Sequence, residues 1–286
     1  MVGPMQSQTT LTDPQALGRN RARASAMAEP ALFLQLDVVD EVQERLDLVN
    51  RSFTSPTIVT GWPQIWSNLL PNAHITADQE TLDLTPGAHD LVIHAMSLHW
   101  ADDPVGQLIQ CKRALKPDGL FLCALFGGQT LSELRAVLAE AEVAITGGLS
   151  PRVAPMAEIR DLGALLQRAG FALPVADTYT RIVTYSDAWH LMHDLRAMGE
   201  NNALATRIRH FSRPSILKKA VDLYQSGFGL ADGRIPARFE MIYLTGWAPD
   251  DSQPKPLRPG SATARLADAL GVDETSLTGP GNKSGD

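Results

Sequence analysis

Two neighbouring side chains, His99 and Trp100, offer the clearest prospect of chemistry in this sequence. They follow a continuous apolar run, residues 90–96, which is typical of a strand buried in a parallel sheet. A histidine can act as a general acid or base, and a tryptophan can pack against a flat ligand ring. A helix entry that buries its indole would use the same residues, so both interpretations stay open.

A second group of polar side chains lies on one predicted helix. His190 and His193 are three residues apart and share a face, and Asp194 follows. Two histidines and a carboxylate are the ligands of non-haem iron, but a hydrogen-bonded pair has the same spacing, and we predict no metal site. Cys111 and Cys123 form no CxxC pair, so we expect two small buried side chains in a reducing compartment.

The composition excludes several classes of protein. The chain has 286 residues, 44% of them hydrophobic and 20% charged, and can bury a sizeable core. Its net charge of −7 argues against general binding to nucleic acid. The longest apolar run, residues 120–126, is far shorter than the ~20 residues that span a bilayer. We therefore expect a globular, cytoplasmic protein without a transmembrane segment.

The elements that would position these side chains alternate between strand and helix. Apolar runs predict strands over residues 57–60, 73–77, 90–96, 120–125 and 238–247. Helical spacing and start signals predict helices over residues 29–53, 62–70, 104–115, 130–145, 158–169, 186–198 and 214–225. This order predicts an α/β, doubly wound fold, whose ligands bind outside the carboxyl ends of the strands.

The predicted domain covers residues 29–247. Residues 1–28 carry three arginines and one acid, which could mimic a transit peptide, but we expect a flexible N-terminus. A helical cap is predicted at about residues 127–225, between an inner strand and the last strand. The tail, residues 248–286, is rich in Pro, Ser and Gly and is expected to be flexible, with one transient helix at residues 262–270.

Residues 90–128 carry a resemblance to a known family. The order is an Asp-Leu-Val strand, the loop SLHW, a helix, the turn LKPDG and a second buried strand. This segment resembles the class I S-adenosylmethionine (SAM)-dependent methyltransferases of the methyltransferase-11 type. The resemblance implies a Rossmann-like fold with SAM as cofactor. It implies His99 as the catalytic residue and, as cofactor-binding residues, Thr60, Gly61, Asp78, His94, Ala95, Met96 and Trp100.

Four further segments narrow the resemblance to a subgroup. They are GGQTLSEL at residues 127–134, SPRVAP at 150–155, DLGALLQRAGF at 161–171 and LMHDLRAMGENNAL at 191–204. The subgroup is similar to bacterial relatives of the mitochondrial complex I assembly factor that hydroxylates an arginine, and more distantly to malonyl-carrier-protein methyltransferases. This implies a respiratory complex I subunit or a carrier-bound substrate as partner. Within the last segment, Asp194, Arg196 and Glu200 are expected to form an exposed ion-pair set or a substrate clamp.

The sequence departs from the family in the loop after the first strand. The family pattern is acidic-x-Gly-x-Gly-x-Gly, whose glycines let backbone N–H groups approach the ligand. Residues 57–63 read TIVTGWP, with one glycine and no acid. Bulky Trp62 and rigid Pro63 follow Gly61, and proline lacks a backbone donor. We therefore predict a degenerate cofactor loop.

The position of Asp78 admits two alignments. Residues 78–82 match the family segment after the third strand, and then the second strand and its helix are missing. In the other alignment Asp78 ends the second strand and would hold the ribose hydroxyls. Residues 51–78 have room for about one strand–helix pair, because a βαβ unit needs ~30 residues or more. We favour the first alignment and expect a sheet reduced near its N-terminal strands.

Two classes of function remain. The first is a SAM-dependent methyltransferase-family protein related to respiratory complex I assembly, with a degenerate cofactor loop. Methyl transfer needs little beyond positioning, because the cofactor supplies the electrophile. The alternative is a non-catalytic assembly or docking protein that has lost SAM binding. The fold alone does not decide between them.

Overall fold

The structure is a computed structural model that describes residues 10–254. Its strands are β1 (Pro56–Thr60), β2 (His74–Thr76), β3 (His89–Ala95), β4 (Leu115–Phe126), β5 (Ala172–Tyr185) and β6 (Ile235–Trp247). Its helices are α1 (Pro14–Ser25), α2 (Phe33–Leu48), α3 (Pro63–Trp66), α4 (Pro104–Ala114), α5 (Ser132–Thr146), α6 (Ile159–Ala169), α7 (Ala188–Ala197) and α8 (Pro214–Phe228). A short 3₁₀ turn covers Leu98–Trp100.

The six strands form one mixed sheet in the order β2-β1-β3-β4-β6-β5. The first four are parallel, and β6 is antiparallel to both β4 and β5. Strands β1 and β3 are almost wholly buried because helices cover both faces of the sheet. Ile58 packs into the core on the face that holds α2, α5 and α8, whereas Val59 packs towards α4 and α6. The predicted α/β doubly wound fold is confirmed.

One edge of the sheet is short. Strand β2 pairs directly with β1, with Thr57 opposite His74 and Val59 opposite Thr76. No further strand lies beyond β2 in the described part of the chain. This agrees with the predicted reduction near the N-terminal strands. The favoured alignment is wrong, however, because β2 lies directly beside β1, which is the place of the second strand in the order 3-2-1-4-5-6. Asp78 therefore follows the second strand, as in the other alignment.

The N-terminal segment is more ordered than predicted. We expected a flexible segment over residues 1–28, and this is wrong for α1. Asp13 starts the helix by accepting a hydrogen bond from the Ala16 N–H, and Pro14 occupies the first turn, where its missing donor costs nothing. Leu17 and Ala24 bury the inner face of α1.

The predicted helical cap over residues 127–225 is also wrong in part. Strand β5 lies inside it and returns to the sheet beside β6. At the other end of the domain, Ala248 is buried and donates its N–H to the Gly119 carbonyl, so order extends past residue 247. The rest of the predicted tail, including residues 262–270, lies outside the described residues from 255 onwards. None of the helices within residues 10–254 is long and apolar enough to cross a membrane.

Candidate functional site

The carboxyl ends of β1 and β3 bring four predicted site residues together. Thr60 ends β1 directly opposite Ala95 of β3, and Gly61 and Met96 follow. Met96 has a left-handed backbone with φ of 49°, and its N–H donates to the Ala124 carbonyl over 2.9 Å. This bend after β3 directs the next residues into the 3₁₀ turn that carries His99 and Trp100.

A side chain from α1 covers this edge. The Arg21 guanidinium binds the Asp78 carboxylate through two contacts of 2.9 and 2.8 Å, and each side chain is only 11% exposed. A Cβ built on Gly61 would collide with the same guanidinium, so Arg21 lies directly on the Gly61 backbone. Arg21 could not be predicted from the sequence, because its contacts join α1 to residues that are far along the chain.

The loop after β1 is closed by its own side chains. The Trp62 N–H donates to Thr60 Oγ1 over 3.0 Å, and Pro63 has no N–H to offer. The Trp62 indole is fully buried and packs against Gly199, where an added Cβ would lie 2.9 Å from Trp62 Cζ2. The Trp62 N–H is therefore already bonded, and Pro63 offers no donor.

His94 faces the interior rather than the strand ends. Its Nε2 lies 2.7 Å from Gln107 Oε1, and Ser97 Oγ lies 3.4 Å from its Nδ1. Burial lowers the pKa of His94, so the imidazole is neutral near pH 7. A neutral ring that donates from Nε2 and accepts at Nδ1 satisfies both contacts. The contacts of His94 thus tie β3 to α4.

His99 and Trp100 both contact the carboxylate of Glu200, a contact that the sequence did not predict. Trp100 Nε1 donates to Glu200 Oε2 over 2.9 Å, and His99 Nε2 lies 3.4 Å from the same oxygen. Burial by itself would raise the pKa of Glu200, but the contacts with His99 and the charge of Arg21 hold that pKa below its ordinary value. The expectation of an exposed ion-pair set is wrong for Glu200, because the chain that follows α7 turns this side chain inward. Its only signal in the sequence was its place in the segment 191–204.

The N-terminal segment is fastened over this group. Thr12 Oγ1 donates to the Trp100 carbonyl over 2.7 Å, and the Thr12 N–H donates to Asp102 Oδ1 over 2.8 Å. The Asn20 side chain donates to the Asn201 carbonyl over 3.1 Å. These contacts fix α1 across the carboxyl ends of β1 and β3.

Several buried polar atoms under α1 have no hydrogen-bond partner within the described residues. They are Arg21 Nε, Trp62 Nε1, His99 Nδ1, Glu200 Oε1 and Asn201 Oδ1. Buried polar atoms are nearly always satisfied in folded proteins, and a concentration of exceptions marks a place that water or a ligand completes. The region below α1 is therefore the place where water or a ligand would satisfy these polar atoms.

A cavity lies beside this group. It has a volume of about 400 Å³ and is bounded by α5, α7, α8 and the loops between them. Its walls include Trp100, Glu200 and Asn201 together with residues 151–154. Of the predicted site residues only Trp100 lines this cavity. The other seven do not: Thr60, Gly61, Asp78, His94, Ala95, Met96 and His99. The cavity is thus built mainly from the segments that define the subgroup.

The other candidates have structural contacts. His190 Nδ1 lies 2.8 Å from Ser186 Oγ and 2.9 Å from Asp187 Oδ1, at the start of α7. No group of three or more His, Cys, Asp or Glu side chains within residues 10–254 could hold a metal ion. Cys111 and Cys123 are buried, and burial raises the pKa of both thiols.

Comparison with known proteins places the chain among methyltransferase-like sequences. A family model described as "Methyltransferase domain" matches residues 39–123. The chain is 40% identical over 199 residues to the mitochondrial arginine-hydroxylase NDUFAF5 of Danio rerio, a match that covers 70% of this chain and 62% of that protein. It is 29% identical over 276 residues to the malonyl-[acyl-carrier protein] O-methyltransferase of Laribacter hongkongensis, covering 83% of this chain and 90% of that protein.

The chain spans less than two thirds of the length of the arginine-hydroxylase relative. Among solved structures, the YcgJ protein of Bacillus subtilis is 11% identical with a TM-score of 0.47, over 74% of this chain and 98% of that one.

Proposed function

We propose that the chain is a member of the class I SAM-dependent methyltransferase family and that it uses the fold of that family to bind a protein partner during complex assembly, without transferring a methyl group. The observation that carries this proposal is the position of Arg21. Its guanidinium lies on Gly61 and is paired with Asp78, at the edge where a sheet of this kind binds its ligand.

The residues at this edge do not fit SAM. A cofactor cradle needs free backbone donors and room beside a glycine. Here Gly61 is covered by Arg21, the Trp62 N–H is bound to Thr60, and Pro63 has no donor. Asp78, which could accept ribose hydroxyls, is already paired in both of its oxygens. These contacts support a site that no longer binds SAM.

The cavity beside Trp100 is the better candidate for a binding site. Two arginines line it, but both are neutralised, since Arg152 is paired with Glu142 and Arg207 with Asp13. The unpaired polar atoms among its lining residues are acceptors, Glu200 Oε1 among them. A ligand that completes this wall must therefore donate hydrogen bonds.

An arginine side chain of a partner protein meets this requirement. A guanidinium has five N–H donors and pairs with a carboxylate such as Glu200. It also packs on an aromatic face such as that of Trp100. The name of the relatives, arginine-hydroxylase, points to the same side chain. In keeping with the family resemblance, the proposed partner is a subunit of respiratory complex I.

Calorimetry with SAM tests the first half of the proposal. We expect no heat of binding and no rise in melting temperature at millimolar SAM, because a ligand that binds only the folded state must raise its stability. The double variant Trp62→Gly/Pro63→Gly serves as a probe of the loop, since it restores backbone donors and room. Micromolar binding to the unaltered protein would refute the proposed loss of the cofactor.

A pair of labelled peptides tests the second half. One carries a central arginine and the other has citrulline, which is neutral, at that position. We expect fluorescence anisotropy to show at least tenfold tighter binding of the arginine peptide, since a charged hydrogen-bonded pair contributes about 1.5–3 kcal/mol. Glu200→Gln should remove this preference while keeping the acceptor for Trp100. Equal binding of both peptides would contradict arginine recognition without affecting the conclusion on SAM.

SAM-dependent methylation of a carrier-bound substrate is the second candidate. It is favoured by the malonyl-carrier-protein methyltransferase, 90% of which the chain covers. In that function His99 would act as acid or base, and the cofactor would contact Thr60, Gly61, Asp78, His94, Ala95, Met96 and Trp100. Micromolar SAM affinity together with transfer of a labelled methyl group to a malonyl carrier protein would establish it.

A further inference from the structure

The outer edge of β5 is the open end of the sheet. The strand pairs with β6 on one side, and no strand within residues 10–254 pairs with its other side. The strand is 14 residues long, and Tyr179 and Ile182 are 52% and 49% exposed. An exposed edge of this length is a template for pairing with another strand.

Among the residues that the structure describes, protection is confined to the two ends of this edge. Pro174 and the irregular register between Ala172 and Val175 interrupt pairing at the start, as bulges and prolines do on edge strands. At the end, the Thr184 carbonyl accepts a hydrogen bond from the Arg234 guanidinium. Residues 175–183 remain available between them.

We propose that this edge pairs antiparallel with the same edge of a second copy of the chain, with Tyr179 on the two-fold axis. An isologous interface requires a surface that complements itself. Residues equally distant from Tyr179 then face each other. Asp177 faces Arg181 of the second copy, and β-branched residues meet in the pairs Thr178 with Thr180 and Val175 with Val183.

The charges select this register. If the axis passed through Asp177, two carboxylates would face each other, and an axis through Arg181 would oppose two guanidiniums. A shift by one residue would set Asp177 against Ile182 instead. The arrangement centred on Tyr179 is the one that turns both charges of the edge into attractive pairs.

The two charges are already held in place within each copy. Arg45 of α2 binds the Asp177 carboxylate through contacts of 2.8 and 2.6 Å. Arg181 Nε lies 3.5 Å from Asp37 Oδ2. Because these side chains are positioned before association, pairing costs less conformational entropy than ordering free side chains would.

Cysteine cross-linking tests the axis directly. In Tyr179→Cys, two cysteines on the axis would have Cα atoms about 4.5–5.5 Å apart, within disulfide range. Ile182→Cys is the matched control because it is similarly exposed, yet its own copies would be about 20 Å apart along the strands. We expect mild oxidation to give a disulfide dimer for Tyr179→Cys and little for Ile182→Cys. The native cysteines are buried and do not compete.

The charge pair gives an independent readout. Light scattering of the unaltered full chain should show the mass rising towards that of a dimer with concentration. Arg181→Glu should weaken the dimer by about tenfold or more, since two attractive pairs become repulsive. The double variant Asp177→Arg/Arg181→Glu should restore it. A monomer at every concentration, or equal cross-linking of both cysteine variants, would overturn the proposal, and neither result depends on the proposed function.

Discussion

The contact between Arg21 and Asp78 leads to a quantitative prediction. Arg21→Met keeps the apolar stem of the side chain and removes its charge, which leaves a carboxylate that is 11% exposed without its cation. Removing one partner of a buried pair costs about 3–5 kcal/mol. We expect the free energy of unfolding to fall by about 3 kcal/mol, which lowers the melting temperature by roughly 6–12 °C in a domain of this size.

Urea unfolding of matched variants measures this cost. Arg51→Met is the control, because it makes the same substitution in the pair with Asp118, whose side chains are 33% and 37% exposed. Exposed pairs contribute about 0–1 kcal/mol. The double variant Arg21→Met/Asp78→Leu should recover most of the loss, since apolar side chains of similar volume replace buried ion pairs at little cost.

Two results would refute this reasoning. The first is a loss of unfolding free energy for Arg21→Met that is no larger than the loss for Arg51→Met. It would mean that the Asp78 carboxylate reaches water when its partner is removed. The second is a double variant whose loss equals the sum of the single losses, which would show that the two side chains do not interact. Either result would also remove the main support for the filled cofactor edge.

Two further predictions concern a carboxylate and a glycine. The hydrogen bond from Arg152 holds the pKa of Glu142 below its ordinary 4.5, so this pair stabilises the fold above that pH and its contribution is lost as the pH falls through the lower folded-state pKa. Glu142→Gln should therefore lower stability at neutral pH and flatten its acid dependence in urea titrations, and an unchanged slope would contradict this. Gly199→Ala should cost about 1–3 kcal/mol, because the residue has φ of 75° and the new Cβ would meet Trp62 at 2.9 Å. Gly147→Ala is the control, because Gly147 has φ of 72° but open space around the new Cβ, so it measures backbone strain without a clash. Equal losses of unfolding free energy in the two variants would argue against the clash with Trp62.

The buried strands were predictable from the sequence. Strand β3 was expected at residues 90–96 and spans His89–Ala95, and β4 and β6 also contain their predicted segments. A strand covered on both faces is apolar at most positions, so its signal does not depend on the rest of the fold. The same reasoning correctly brought Thr60 and Ala95 to one edge.

The elements that carry few buried residues were not predictable. Strand β5 exposes most of its side chains, so it lacks the apolar run that marks an inner strand, although Thr178 and Thr180 are β-branched. In α1 the start signals of Asp13 and Pro14 are present, but the polar composition favoured a flexible segment. Both elements owe their order to neighbours that are remote in sequence.

The site depends on contacts of the same kind. Arg21 and Asp78 are 57 residues apart, and His99 and Glu200 are 101 apart. Local periodicity contains no information on such pairs, because they form only when α1 and the end of α7 pack over the strand ends. The motif segments could be recognised from the sequence, whereas the partners of their side chains could not.

The fastening of α1 has a consequence for how the chain is made. Asn20 is bound to Asn201, 181 residues later, and Thr12 bridges Leu204. At about 5–20 residues per second, the ribosome delivers these docking residues roughly 10–40 seconds after the helix itself. During that interval α1 lacks its partners at Asn201 and Leu204, although Asp78, the partner of Arg21, has already been made. The contacts that hold the two ends of α1 over the strand ends can therefore form only when synthesis of the domain is nearly complete.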